Sequence, residues 1–342
     1  MLNFVLHATI ERGILFIISC ACLLPLDSFA AEARVLVDHR SIDSGDNRIP
    51  PRWLDKARSL RVYFGHQSVG NNILDGLNAL ARRRPDRYSI EVRAEPDASW
   101  FRGHAGVGHF AVGENGDAEG KIDDFSRRME AVGGRVDVAM MKLCFVDIPG
   151  RGSDPSQVFA SYRDAMERLQ KSYPRARLVW WTQPITNRDN AARNQFNALV
   201  RAYAAAQGKP LFDIADIESH DPRGGEAADR SGPALYAGYT RDGGHLTMEG
   251  RLRAARAWWW LLARLSGWPG SRGNDAAPPS EPAAAAPAAP FVVRSARTDW
   301  WSACTAEREK FCRGVPAGGG RVARCINAHA GELSDECKGA QP

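Results

Sequence analysis

Between Leu60 and Leu265, short apolar runs alternate with longer stretches whose apolar residues recur at helical spacing, and this alternation most constrains the fold. Leu60–Phe64, Val136–Phe145, Leu178–Thr182 and Pro210–Ile214 read as strands, the third cut off by Pro184. Gly70–Arg83 reads as a helix with Ile73, Leu74, Leu77 and Leu80 on one face, and Phe159–Ser172 as another through Phe159, Tyr162, Met166 and Leu169. Asn190–Gln207 and Thr247–Leu265 complete the helical set, and Trp258-Trp259-Trp260 in the last one predicts packing onto a sheet. Strands that alternate with helices predict an α/β fold with a parallel sheet covered on both faces. Functional residues in such sheets gather at the carboxyl ends of the strands, which is where Ser68 and the segments after Phe145 and Thr182 would lie.

The chain divides by composition. Residues 1–30 read as a secretory signal: Arg12 precedes the apolar stretch Gly13–Leu26, and Ser28-Phe29-Ala30 offers the small residues of a cleavage site. A lipoprotein box ending at Cys20 is the competing reading, opposed by the apolar residues that continue past it. The main domain is expected over 32–268, followed by a Pro/Ala-rich linker over 269–296 and a module over 297–342. No segment after the signal is apolar for long enough to span a bilayer. The net charge of +5 comes from 45 basic and 40 acidic residues without a long basic block, so nucleic acid is not expected as a partner.

The module is too small to be stable without staples, and Cys304, Cys312, Cys325 and Cys337 supply them. Disulfides are favoured over zinc because the gaps are long and no CxxC pair occurs. Three pairings are open; Cys304 with Cys337 plus Cys312 with Cys325, one of them, would staple two short helices. The signal implies an exported chain, periplasmic or secreted, and an even cysteine cluster in such a chain implies two bridges.

Chemistry enters through two motifs. Gly65-His66-Gln67-Ser68-Val69-Gly70 follows the apolar run Val62-Tyr63-Phe64, and Asp242-Gly243-Gly244-His245 lies far downstream. A serine hydroxyl needs an imidazole to take its proton and a carboxylate to orient that imidazole. Asp242 and His245 suit those tasks on one Gly-Gly turn, with Ser68 as the nucleophile brought in by the fold. The bland alternatives are a helix cap for Ser68 or Asp242 and a surface-loop histidine for His245.

These motifs resemble the SGNH (GDSL-like) hydrolase superfamily over most of 60–268. Phe64-Gly65-His66-Gln67-Ser68 takes the place of the nucleophile block, with one residue more between Gly and Ser than the family has. Gly113-Glu114-Asn115-Gly116-Asp117 resembles the second block, Asp137–Asp147 occupies the third, and Asp242-x-x-His245 matches the last. The resemblance implies a flavodoxin-like three-layer sandwich and a serine esterase that uses no cofactor and no metal. It also implies an ester substrate, such as an O-acyl group on extracellular carbohydrate. The oxyanion would be held by the backbone N–H groups of Ser68 and Gly116. The third block lacks the family's Asn, so Asn115, Gln67 or His66 would substitute, or the chain is a non-catalytic envelope binding protein on the same fold. The C-terminal module resembles the cysteine-rich repeat of the Golgi-protein type through Cys304, Phe311-Cys312, Cys325-Ile326, His329 and Cys337, which suggests an envelope partner.

Further residues carry expectations. His104 and His109, in the Gly-rich stretch Gly103–Gly113, are read as part of a flexible substrate loop rather than as metal ligands. Lys142, in an apolar run, calls for a nearby carboxylate such as Asp147 or Asp123. Cys144 is expected to be a small buried hydrophobe.

Overall fold

The computed structural model describes residues 35–43, 49–149, 154–270, 303–315 and 321–340. The expected signal and almost all of the expected linker fall outside the described residues. Seven parallel strands form the main sheet: β1 (Leu36–Val37), β2 (Arg61–His66), β3 (Val92–Ala94), β4 (Gly106–Ala111), β5 (Val138–Met141), β6 (Arg177–Trp181) and β7 (Leu211–Phe212). Their order is β1-β7-β6-β5-β2-β4-β3. The inner run β4-β2-β5-β6-β7 is the flavodoxin-like order, extended by β3 at one edge and β1 at the other. In this order the chain leaves β2 toward β4 and returns to β5, so a crevice opens at the carboxyl ends of β2 and β5.

Among the described residues of the main domain, the α-helices are α1 (His39–Asp43), α2 (Pro51–Arg58), α3 (Val69–Arg83), α4 (Pro85–Tyr88), α5 (Trp100–Gly103), α6 (Ala118–Val132), α7 (Pro155–Ser172), α8 (Ala191–Ala206), α9 (Ile214–Ser219) and α10 (Met248–Leu265). Alternate strand residues feed two cores. Val62, Phe64, Met140, Val179 and Trp181 pack with apolar residues of α3 and α10, whereas Tyr63, Ala139, Met141, Leu178 and Trp180 pack with α6, α7 and α8. The three layers follow from that alternation. Trp258 is wholly buried, its ring edge-on to Phe64 and tilted on Trp181.

Several expectations needed correction. Gly103–Gly113 is not a flexible loop: β4 occupies its centre and pairs with both β2 and β3. Glycines and histidines interrupt its apolar pattern, and backbone pairing to β2 supplies what the side chains do not signal. The strand expected through Phe145 ends at Met141, and the one expected through Ile214 ends at Phe212 because Asp213 accepts from the Asp216 N–H and caps α9. The short edge strands β1 and β3 carry no periodicity of their own.

The C-terminal module has helices Thr305–Phe311, Arg321–Ala328 and Asp335–Ala340. Disulfides join Cys304 to Cys337 and Cys312 to Cys325 around Ile326 and Leu333. The bridges close loops of 33 and 13 residues. The chain-entropy relation assigns them about 4 and about 3 kcal/mol, comparable to all the stability a module this small can muster. Reduction of the intact protein should therefore open the module to limited proteolysis while the main domain, whose one described cysteine is Cys144, stays resistant.

Glu218 at the end of α9 is 1% exposed; its Oε2 accepts the Ile185 N–H at 3.2 Å. Burial pushes its carboxyl up to about 8, against the opposing pull of that N–H and of the Lys142 charge. Between the ordinary carboxyl value of 4.5 and about 8, the folded chain keeps a proton that the unfolded chain has lost. Stability therefore falls as pH rises through that window and levels off above it. Glu218→Gln should remove this slope, so the variant gains a few kcal/mol over wild type between pH 5 and pH 9, read from melting temperatures at each pH.

Candidate active site

The strand β2 runs directly into α3 through Gln67 and Ser68. Ser68 has φ 55° and ψ −111°, a backbone region that side chains other than glycine rarely occupy. Its hydroxyl makes no cap to α3. Instead Oγ lies 2.7 Å from His245 Nε2, which decides against the capping reading. The strained turn lifts the hydroxyl off the carboxyl end of the sheet, as a nucleophile elbow does.

The other half of the site is built locally. Thr240 pairs with Leu246 across an isolated bridge, and the intervening turn carries Asp242 and His245. Asp242 Oδ1 accepts the N–H groups of Gly244 and His245 at 3.0 and 2.8 Å, and Oδ2 lies 2.6 Å from His245 Nδ1. Both glycines are required: Gly243 has φ +90°, and a Cβ on Gly244 would stand 2.6 Å from the Phe145 ring. Partial burial alone would raise the Asp242 carboxyl, but the two N–H groups and the His245 ring outweigh it and hold it at about 2. A carboxylate faces Nδ1, so Nδ1 carries the ring proton and Nε2 is left to accept from Ser68. The Phe145 ring stands edge-on to His245, centroids 5.3 Å apart, and braces it.

Two residues that the sequence did not single out join these halves. Asn72, buried in α3, accepts the Leu246 N–H on its side-chain oxygen at 2.8 Å. Arg251 of α10 reaches the Leu246 carbonyl with Nε at 2.9 Å and Asp75 of α3 with Nη1 at 3.0 Å. A polar Asn on the apolar face of α3 is the one sequence sign that something there needed a hydrogen bond.

The expected oxyanion groups are distributed differently. His66 is 2% exposed, stacked on Phe64, with Nε2 3.1 Å from His109 Nδ1; burial holds its pKa well below the usual histidine value. Strand alternation turns it into the core, so it is not a substrate contact. Gln67 spends its side-chain N–H groups on the carbonyls of Val112 and Gly113, at 2.9 and 2.5 Å. The Gly116 N–H donates to Asp147 Oδ1 at 2.8 Å and is already engaged. Asn115 is exposed, with its side-chain oxygen held by Lys121 Nζ at 2.8 Å.

Asp147 lies near enough for its charge to act on Lys142, as expected, but the two form no direct ion pair. The Lys142 Nζ donates to the Leu143 carbonyl and the Cys144 sulfur, both at 3.3 Å, and burial lowers its pKa. Asp147 pairs instead with Lys121, both side chains fully buried. Cys144 is wholly buried.

His39, Asp216 and His220 bring possible metal-ligand atoms within 4.8 Å of one another. The two imidazoles stack at 3.5 Å and 10°, so a cation in the plane of one ring lies well out of the plane of the other. His39 Nδ1 is 2.6 Å from the Asp216 carboxylate, and His220 Nδ1 donates to the Asp216 carbonyl at 2.8 Å. The trio clasps α1 onto α9.

The sequence matches no protein-family profile and no curated protein. Among solved structures it is similar to a GDSL-like lipase from Bacteroides thetaiotaomicron, with 15% identity, 61% of this chain and 92% of that one covered, and a TM-score of 0.36. It is also similar to a carbohydrate esterase family 3 protein from Talaromyces cellulolyticus, at 12% identity, 58% and 94% coverage and a TM-score of 0.38. A member of the lipolytic G-D-S-L family from Veillonella parvula matches at 15% identity, 57% and 93% coverage and a TM-score of 0.35.

The strain at Ser68 has a measurable consequence. Ser68→Ala keeps the unfavourable φ, whereas Ser68→Gly relieves it, so the glycine variant should be the more stable of the two by about 1 kcal/mol in chemical denaturation.

Proposed function

We propose that this chain is an exported serine esterase of the SGNH type. The observation that carries the reading is the unbroken relay of Ser68 Oγ to His245 Nε2 at 2.7 Å and His245 Nδ1 to Asp242 Oδ2 at 2.6 Å. Ser68 Oγ attacks the acyl carbon of an ester as His245 Nε2 takes its proton, and a tetrahedral oxyanion forms. His245 returns the proton to the leaving alcohol, which departs and leaves an acyl group on Ser68. Water then attacks the acyl carbon as the same imidazole takes its proton, and His245 returns that proton to Ser68 Oγ as the bond to the acyl group breaks and the acid leaves. Asp242 stays ionised throughout and stabilises the imidazolium in each half-reaction. The Ser68 N–H and the Asn115 side-chain amide are the proposed oxyanion donors.

The substrate class follows the sequence resemblance: an O-acyl group on extracellular carbohydrate. The amino-terminal signal and the paired module cysteines support export to the periplasm or beyond. No helix among the described residues is long and apolar enough to cross a membrane.

Purified protein should hydrolyse a short-chain aryl ester and form a covalent adduct with a fluorophosphonate. Ser68→Ala should abolish the adduct and lower turnover by about 10⁴-fold or more. Equal behaviour of wild type and variant would reject the esterase in favour of a binding protein on this fold.

A further inference from the structure

The third-block Asn of the resembling family is absent here, and the Gly116 N–H is taken by Asp147. The same neighbourhood holds a fully buried ion pair that the relay does not use. Asp147 Oδ1 accepts from Lys121 Nζ at 3.0 Å and from the Gly116 N–H at 2.8 Å; its Oδ2 accepts from Lys121 Nζ at 2.8 Å and from the Cys144 N–H at 2.5 Å. One carboxylate thereby ties the loop after β4 to the loop after β5. Burying two charges adds little net stability over an apolar pair of similar volume, so a fixed geometry rather than stability is what such a pair can supply.

The third hydrogen bond of the ammonium goes to Asn115 Oδ1 at 2.8 Å. An ammonium only donates, so the prong of Asn115 that faces it must be the oxygen, and the amide NH₂ must point away from Lys121. The loop that bears Asn115 is fixed beside the nucleophile: Gln67, the residue before Ser68, grips the Gly113 carbonyl, and Gly113 lies against the Lys121 side chain. We propose that Lys121 is a positioning residue whose ammonium, anchored on Asp147, holds the Asn115 oxygen and so presents the Asn115 amide N–H to the oxyanion formed on attack by Ser68.

This inference rests on the esterase reading, and the test separates the two. If wild type has no Ser68-dependent turnover of a short-chain aryl ester, the esterase reading fails and the positioning role with it. Given that turnover, Asn115→Ala should lower kcat about 100- to 1000-fold with KM nearly unchanged and melting temperature preserved, because the donor acts on the transition state. Lys121→Met should lower kcat by a similar factor, and the double variant should fall no further than the lower single one. Where Lys121→Met does not fold, Lys121→Arg, which keeps donors but displaces them, takes its place in the same cycle. Unchanged kcat in Asn115→Ala, or losses that multiply in the double variant, would overturn the proposal while leaving the esterase intact.

Discussion

The site depends on how closely α3 and α10 approach. A Cβ on Gly76 would stand 2.2 Å from the Arg251 carbonyl oxygen, so only glycine permits the contact. The helices run side by side in the same direction, Asn72 meeting Leu246 and Asp75 meeting Arg251. Ser68 immediately precedes the first helix and His245 lies just ahead of the second. Close packing of their first turns therefore sets the separation of hydroxyl and imidazole, although the two residues are 177 positions apart in the chain. Trp258 of α10 packs against Phe64, Trp181 and Phe212 of the sheet while Trp259 packs against Tyr88 of α4, which makes the spacing a property of the core.

Against that rigid frame the two chemical loops use opposite means. At Ser68 the chain accepts an unfavourable backbone conformation that the surrounding strand and helix impose. At Asp242 it does the reverse: Thr240, Gly244 and His245 surround the carboxylate with hydrogen-bond donors, which keeps it charged and its partner ring oriented. Strain exposes the Ser68 hydroxyl, and local hydrogen bonding fixes the His245 ring.

Much of this was legible from residue order. The apolar run ending at Phe64, the helical spacing through Leu80 and the Asp-Gly-Gly-His turn are local signals, and each stands in the structure as a strand, a helix and a turn. The partners of the charged residues were not legible, because they depend on packing between segments far apart in the chain. Lys142 and Lys121 both precede Asp147, and only the fold decides that Lys121 reaches it. β4 escaped notice because its neighbours supply its reason to be a strand. The clasp of His39 and His220 on Asp216 joins an edge segment to α9 and has no motif at all.

The most direct measurement is a crystal structure of the protein after reaction with an aryl phosphonate. The account predicts phosphorus bonded to Ser68 Oγ, its non-bridging oxygen against the Ser68 N–H and the Asn115 amide, and His245 still within hydrogen-bond distance of Asp242. Phosphorus on another residue, or an unmodified Ser68 with His245 turned away from it, would contradict the proposed relay.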